Sequence, residues 1–260
     1  MPITLRSSRE IEMLRNASSV VAKVLSKLKE QAKPGVSTAE LDETALKMTR
    51  QAGAIALFKG FPCPYMDKPF PGGICASVNE QLVHGIPSKK VILKEGDILS
   101  IDFGVKLNGY CGDSALTVGI GQIVPERQKL LDVTQRLLDI AIEEMAPGVK
   151  WSSIAGMMEE AAKDAGFSVV KDYVGHGIGT EMHEDPKVPN FVSRELLRDD
   201  ITLKKGMVLA VEPMVNMGKA GVRTLPDAWT VVTKDKKCSA HFEHTIAVVS
   251  DGCDVLTARD

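Results

Sequence analysis

The sequence predicts an α+β fold built from two similar halves. Phrases recur along the chain in the same order. "KPGVSTAELDETALKMTRQAG" from Lys33 is echoed by "APGVKWSSIAGMMEEAAKDAG" from Ala146. "VHGIP" around His84 returns as "GHGIG" around His176, and "LKEGDILSIDFG" from Leu93 as "LKKGMVLAVEP" from Leu203. One echo is within chance. Three in order imply paired halves, at a spacing far too long for a solenoid. The second observation is that helical patterns and β-branched runs are both plentiful. We expect one domain over 1–260, with halves of roughly 1–120 and 121–260.

The elements follow in order. Ser7 and Glu10 have capping-box spacing and start a helix reaching about Gln31. Ser37 and Glu40 do the same for a helix ending near Gly53. Pro125 opens a third helix, which runs to about Met145 before the Pro147-Gly148 break. The fourth runs from about Ser152 to Gly166. Strands are expected at 97–104, 110–118, 207–216, 228–233 and 241–249. The stretch "PCPYMDKPFPGG" at 62–73 is too rich in proline and glycine for an element interior and reads as a stiff loop.

Bulk properties narrow the function. The chain has 260 residues and 44% apolar content, enough for a sizeable core. A net charge of −2 and a pI near 6.2 argue against a nucleic-acid binder held by bulk electrostatics. Lys23, Lys27, Lys29 and Lys33 read as a solvated helix face. The cysteines, Cys63, Cys75, Cys111, Cys238 and Cys253, form no C-x-x-C pair, which fits a reducing compartment. No run reaches the roughly 18 apolar residues of a membrane span, and no signal peptide is evident. The expectation is a soluble cytoplasmic protein without a membrane or nucleic-acid partner.

Acids inside apolar strands carry the chemistry. Side chains alternate in a strand, so Asp102 shares a face with Ser100 and Gly104. Read the same way, Glu212 shares one with Ala210 and Val208. Ile101 and Val211 point away, leaving space beside each acid. Asp113 lies beyond a turn at Asn108-Gly109, and its counterpart is Glu243. Each half thus offers two acids on neighbouring strands. Converging carboxylates repel unless something positive lies between them. A buried Arg or Lys could serve, Arg223 being the nearest candidate, but divalent cations neutralise four acids better. His176 adds a nitrogen, with glycines on both sides that let backbone approach closely. Such an oxygen-rich set suits Mn²⁺, Fe²⁺ or Co²⁺ better than a structural zinc site.

Three lookalikes are set aside. "GHGIG" lacks the context of a phosphate loop, and "EMHEDP" lacks the second histidine of H-E-x-x-H. In "HFEH", His241 and His244 would face opposite sides of a strand, which leaves Glu243 as the better ligand.

With these residues assembled, the sequence resembles the type I methionine aminopeptidases over nearly its whole length. "NEQLVHGIP", "DILSIDFG" followed by Asp113, "GHGIGTEMHEDP", "EPMVN" and "FEHTIAVV" carry the resemblance. The stretch between His183 and Glu212 is too short for the large insertion of type II members. The resemblance implies a pita-bread fold, with two pseudo-twofold-related αβ halves around a curved, mainly antiparallel sheet. It implies two divalent ions, Co²⁺, Mn²⁺, Fe²⁺ or Zn²⁺. Asp113 and Glu243 would bridge them, Asp102 would chelate one, and His176 and Glu212 would complete the other. Glu212 would also shuttle a proton, His183 would hydrogen-bond the scissile carbonyl, and His84 the peptide nitrogen. Cys75, Trp229 and Phe61 would line the methionine pocket. The match departs in the long 62–73 stretch and at Met182, where an aromatic residue is common.

The implied activity is hydrolysis of the initiator methionine from nascent chains with a small second residue, by a monomer with the ribosome as a further partner. Two rivals remain. An X-Pro dipeptidase would generally carry an extra N-terminal domain. A pita-bread peptide- or ribosome-binding module that has lost catalysis would usually lack ligands.

Overall fold

The computed structural model describes residues 3–63 and 68–259. Helix α1 spans Ser8–Gln31 and α2 spans Thr38–Gln51; Ser7 and Ser37 each close a capping box with Glu10 and Glu40. Strands β1 (Ile55–Ala56), β2 (Cys75–Val78), β3 (Gln81–Val83), β4 (Ile98–Leu107) and β5 (Tyr110–Gly119) complete the first half. Helices α3 (Pro125–Glu144) and α4 (Trp151–Asp164) open the second, followed by β6 (Ser168–Val169), β7 (Gly175–Gly177), β8 (Glu184–Val188) and α5 (Arg194–Arg198). The remaining strands are β9 (Val208–Val211), β10 (Met214–Asn216), β11 (Val222–Thr224), β12 (Val231–Thr233), β13 (Ser239–His241), β14 (His244–Val249) and β15 (Gly252–Val255).

The expected helices are all present. The expected strands at 97–104 and 110–118 form an antiparallel hairpin, β4 and β5, turned at Asn108 and Gly109. Both turn residues have positive φ, 50° and 87°, the conformation that Asn-Gly adopts most readily.

Three strand expectations need correction. The 207–216 strand is interrupted at Glu212-Pro213, and the 241–249 strand at Phe242-Glu243. Proline cannot donate to a ladder, so the sheet opens there. Residues 228–230 lie outside β12 in a turn. The Asp227 carboxylate accepts from the amides of Trp229 (2.9 Å) and Thr230 (2.8 Å), an Asx turn that holds the chain off the sheet. In the 62–73 loop, residues 64–67 lie outside the described residues; the others carry no helix or strand.

One half presents β1-β4-β2 with β5 beside β4; the other presents β15-β14-β9-β7-β8. A continuous buried cluster joins Val21, Leu99 and Ile101 to Trp151, Leu209 and Ile246. The halves meet along β5. Thr245 Oγ1 donates to Asp113 O (2.7 Å), Glu243 N to Ala115 O (3.0 Å) and His241 N to Thr117 Oγ1 (2.9 Å). Asp113 and Glu243, two of the acids expected to converge, sit on this seam.

Candidate metal centre

Asp102 faces Ala115 across the β4–β5 ladder, and Asp113 faces Gly104. The two acids are therefore diagonal neighbours on one face. A side chain at position 104 would run into the Asp113 carboxylate, because a Cβ there would stand 3.0 Å from Asp113 Oδ1. From the other half, Glu243 follows β13 and Glu212 follows β9, each at a break in its strand. These two acids therefore enter the centre from irregular backbone and not from a strand face. The Asn190 amide holds the Glu212 carbonyl at 3.0 Å.

His176 lies on β7 between β8 and β9. Its flanking glycines are required by close approach: a Cβ on Gly175 would stand 2.3 Å from Ala210 O, and one on Gly177 2.2 Å from Asp185 O. His176 Nδ1 lies 3.0 Å from Gly177 O. A carbonyl only accepts, so Nδ1 carries the proton and Nε2 keeps its lone pair for a cation.

Donor atoms of Asp113, His176 and Glu243 all lie within 4.8 Å of one another. Glu212 Oε1 stands 3.6 Å from His176 Nε2. Buried oxygens Asp102 Oδ1 and Asp113 Oδ1 have no hydrogen-bond partner among the described residues. Burial pushes the Asp113 carboxyl up to about 8, with Glu212 adding to it. Burial raises Asp102 well above the usual range, helped by Asp113 and Glu212, and raises Glu243 likewise, helped by Asp113, Glu212 and Asp102. Buried carboxylates left unpaired are costly, and the donor set suits divalent cations. The residues present fit the two-ion site.

Arg223 does not serve as the neutralising cation, because it is exposed on β11. Arg259 takes the position behind the acids instead. It donates to Ser114 Oγ (2.7 Å) and to Ala115 O (3.4 Å), and burial pulls it down to about 10 despite Glu243.

A cavity of about 450 Å³ opens over these groups. Phe58, Phe70, Cys75 and Met182 form an apolar cluster, with Phe61 and Trp229 packed against it. Cys75 is the cross-strand partner of Asp102, which sets the apolar wall directly beside the acids. Burial, then Asp102 and Asp113, raise its thiol, which stays neutral. His84 and His183 also line the cavity. Burial lowers each to about 4, so both rings are neutral near pH 7. His183 stacks edge-on against Phe61 and His176.

Every predicted site residue thus borders one cavity or its wall cluster. The sequence reading missed Phe70 and Tyr173, which line it too, and His241. Phe70 packs edge-on against Trp229, whose indole N–H donates to Lys68 O at 3.1 Å. An aromatic inside the Pro-Phe-Pro-Gly-Gly run was the available signal. His241 and His244 do point apart, but for a different reason than alternation: the strand ends between them. His241 faces the cavity, and His244 Nδ1 lies 2.8 Å from Thr257 Oγ1.

The sequence matches metallopeptidase family M24 over residues 12–250. The chain belongs to that family. Among M24 relatives, it is 48% identical to methionine aminopeptidase 1 of Bacillus subtilis, covering 98% of this chain and 99% of that one. It is 38% identical to the methionine aminopeptidase of Escherichia coli, covering 100% and 95%. The M24 methionine aminopeptidase structure from Thermotoga maritima superposes with a TM-score of 0.92 at 36% identity, covering 100% of both chains. Prolidase from Pyrococcus furiosus shares the fold at TM-score 0.74 and 21% identity, with 66% of its length covered. The pita-bread, α+β architecture implied by the resemblance is therefore the observed one. As an M24 member, the chain is a metal-dependent hydrolase. Among the described residues, no helix is long and apolar enough to cross a membrane.

Proposed function

We propose that this M24 chain is a methionyl aminopeptidase that removes the N-terminal methionine from nascent proteins. The observation that carries the reading is the juxtaposition of buried, unpartnered carboxylates with an apolar wall at the Cys75–Asp102 pair. An unbranched, polarizable thioether suits such a wall. Both halves act as one catalytic domain over 1–260.

Asp102, Asp113, His176, Glu212 and Glu243 would hold two divalent ions. When bound, such ions offset the carboxylate charge, polarise the scissile carbonyl and acidify water. Glu212 accepts a proton from the attacking water and delivers it to the leaving amine. His183 hydrogen-bonds the carbonyl oxygen and His84 the peptide nitrogen. Their neutral rings place no fixed positive charge beside the ions. Cys75, Trp229 and Phe61, with Phe70, enclose the methionine side chain. A small second residue, a monomeric cytoplasmic enzyme and contact with the ribosome complete the reading.

The decisive assay compares Met-Ala-Ser with an X-Pro dipeptide, with and without chelator. Chelator-sensitive release of methionine supports the reading; cleavage of the X-Pro substrate alone defeats it. His84→Ala is expected to lower kcat by about 10²-fold or more, the range for a lost transition-state hydrogen bond, with two ions per chain retained. Loss of an ion by elemental analysis would make His84 a ligand. Trp229→Ala is expected to raise KM about 10- to 100-fold through lost pocket contact, leaving kcat nearly unchanged; steady-state kinetics on Met-Ala-Ser decide it.

A further inference from the structure

The geometry points to His241 as a positioning residue for Glu212, an inference that rests on the aminopeptidase reading above. His241 is 2% exposed, and neither ring nitrogen has a hydrogen-bond partner among the described residues. A buried imidazole with two idle nitrogens is costly and asks for a function. Its ring faces the cavity. Its nearest charged neighbour is Glu212: Nε2 lies 3.5 Å from Oε2. The other carboxylate oxygen, Oε1, faces His176 Nε2 at 3.6 Å. Glu212 thus presents one oxygen to each of two imidazoles.

These two oxygens have different work. With His176 as a ligand, the oxygen beside it would be the one that serves the ion. Oε2 is then the end free to carry the proton. A donor from His241 Nε2–H closing on Oε2 would fix the carboxylate's rotation and hold Oε1 toward His176. The ring is well placed to impose this. The His241 backbone is anchored by Thr117, which donates to its carbonyl at 2.8 Å and accepts from its amide at 2.9 Å, and it pairs with Met214 on β10. Met214 lies just beyond Glu212-Pro213, so one short ladder sets the spacing of His241 from Glu212. A shift of a few tenths of an ångström makes the hydrogen bond.

The test uses the full chain loaded with zinc, and the same chain metal-free. His241→Ala is expected to lower kcat about 10- to 100-fold, the range for removing a partner that orients a ligand. KM should stay within about twofold and two zinc ions should remain. His241→Gln restores an N–H donor and is expected to recover most of the loss. Ring ¹⁵N shifts of His241 should report a protonated Nε2 in both metal-free and zinc-loaded protein, and this holds whether or not the alanine variant folds. The assignment is overturned by loss of an ion in His241→Ala, by a zinc-bound Nε2, or by unchanged kcat. A glutamine variant no better than alanine overturns it too. If wild-type zinc enzyme fails to release methionine, the functional reading fails instead, and the ring shifts still decide the contact.

Discussion

Loading the metal-free protein with Zn²⁺ or Mn²⁺ at pH 7 is expected to release roughly two protons per chain, because ligands must shed protons to bind. Asp113 titrates at about 8 without metal, raised first by burial and then by Glu212. Asp102 and Glu243 are raised for the same reasons. The buried carboxyls of the metal-free centre, Asp113 first, therefore hold protons near neutral pH that entering ions displace. Calorimetric titration in two buffers of different ionisation enthalpy measures the number. The same shifts set a stability trend. A carboxyl whose pKa rises on folding contributes stability that is complete below its unfolded value and lost as pH climbs through its folded value. For Asp113 that loss runs through about pH 8. The histidines act in the opposite sense, but lower down: His84 and His183 near 4 and His244 near 3 make the fold lose stability as pH falls below the ordinary histidine range. Between pH 7 and 9 the acids lead, joined toward pH 9 by the cysteine thiols that burial raises, and all of these act in the same direction. The Tm of metal-free protein should fall across that window, while that of loaded protein holds. A heat of binding independent of buffer, or a metal-free Tm flat from pH 7 to 9, would show that the acids are not gathered in one buried centre.

The parts of this centre readable from sequence were those with local signatures. Capping boxes at Ser7 and Ser37, Pro125 at a helix start and Asn108-Gly109 at a hairpin all act over a few residues. The acids were legible because an internal echo placed them at matching points of two halves. The break at Glu212-Pro213 carries a signal in its proline, whereas the one at Phe242-Glu243 is not legible, because strand propensity runs unbroken through it. Tertiary contact along β5 decides there, where the Glu243 amide donates to Ala115 O. His241 was lost for the same reason: alternation was applied to a strand that stops. Arg259 was invisible because its site is made by residues more than a hundred positions away, Ser114 and Ala115. Phe70 joins the cavity wall partly through a distant partner too, packing edge-on against Trp229.

Asp113→Asn is expected to separate function from stability. Asparagine is the same size, so the space left by Gly104 still accommodates it, and the backbone bonds to Thr245 are untouched. What disappears is one buried negative charge of the proposed two-ion site. Elemental analysis should find fewer than two ions per chain. The value of kcat/KM should fall at least about a thousandfold, which corresponds to roughly 4 kcal/mol of transition-state stabilisation, the scale of an ion acting on a carbonyl. The metal-free variant should nevertheless be the more stable protein at pH 9. Wild type must create a charge there in a buried site already crowded by Glu212, and the amide need not. Asp97→Asn is the control. That carboxylate is satisfied by Asn79 at 2.8 Å and the Lys94 amide at 2.9 Å, far from the cavity lining. Its loss should cost about 1 kcal/mol of stability at any pH above the carboxylate range, without changing metal content. If Asp113→Asn binds two ions and turns over like wild type, Asp113 does not join them. If its metal-free form melts below wild type at pH 9, the charge was not stored against the fold, and the paired ions lose their physical reason to be there.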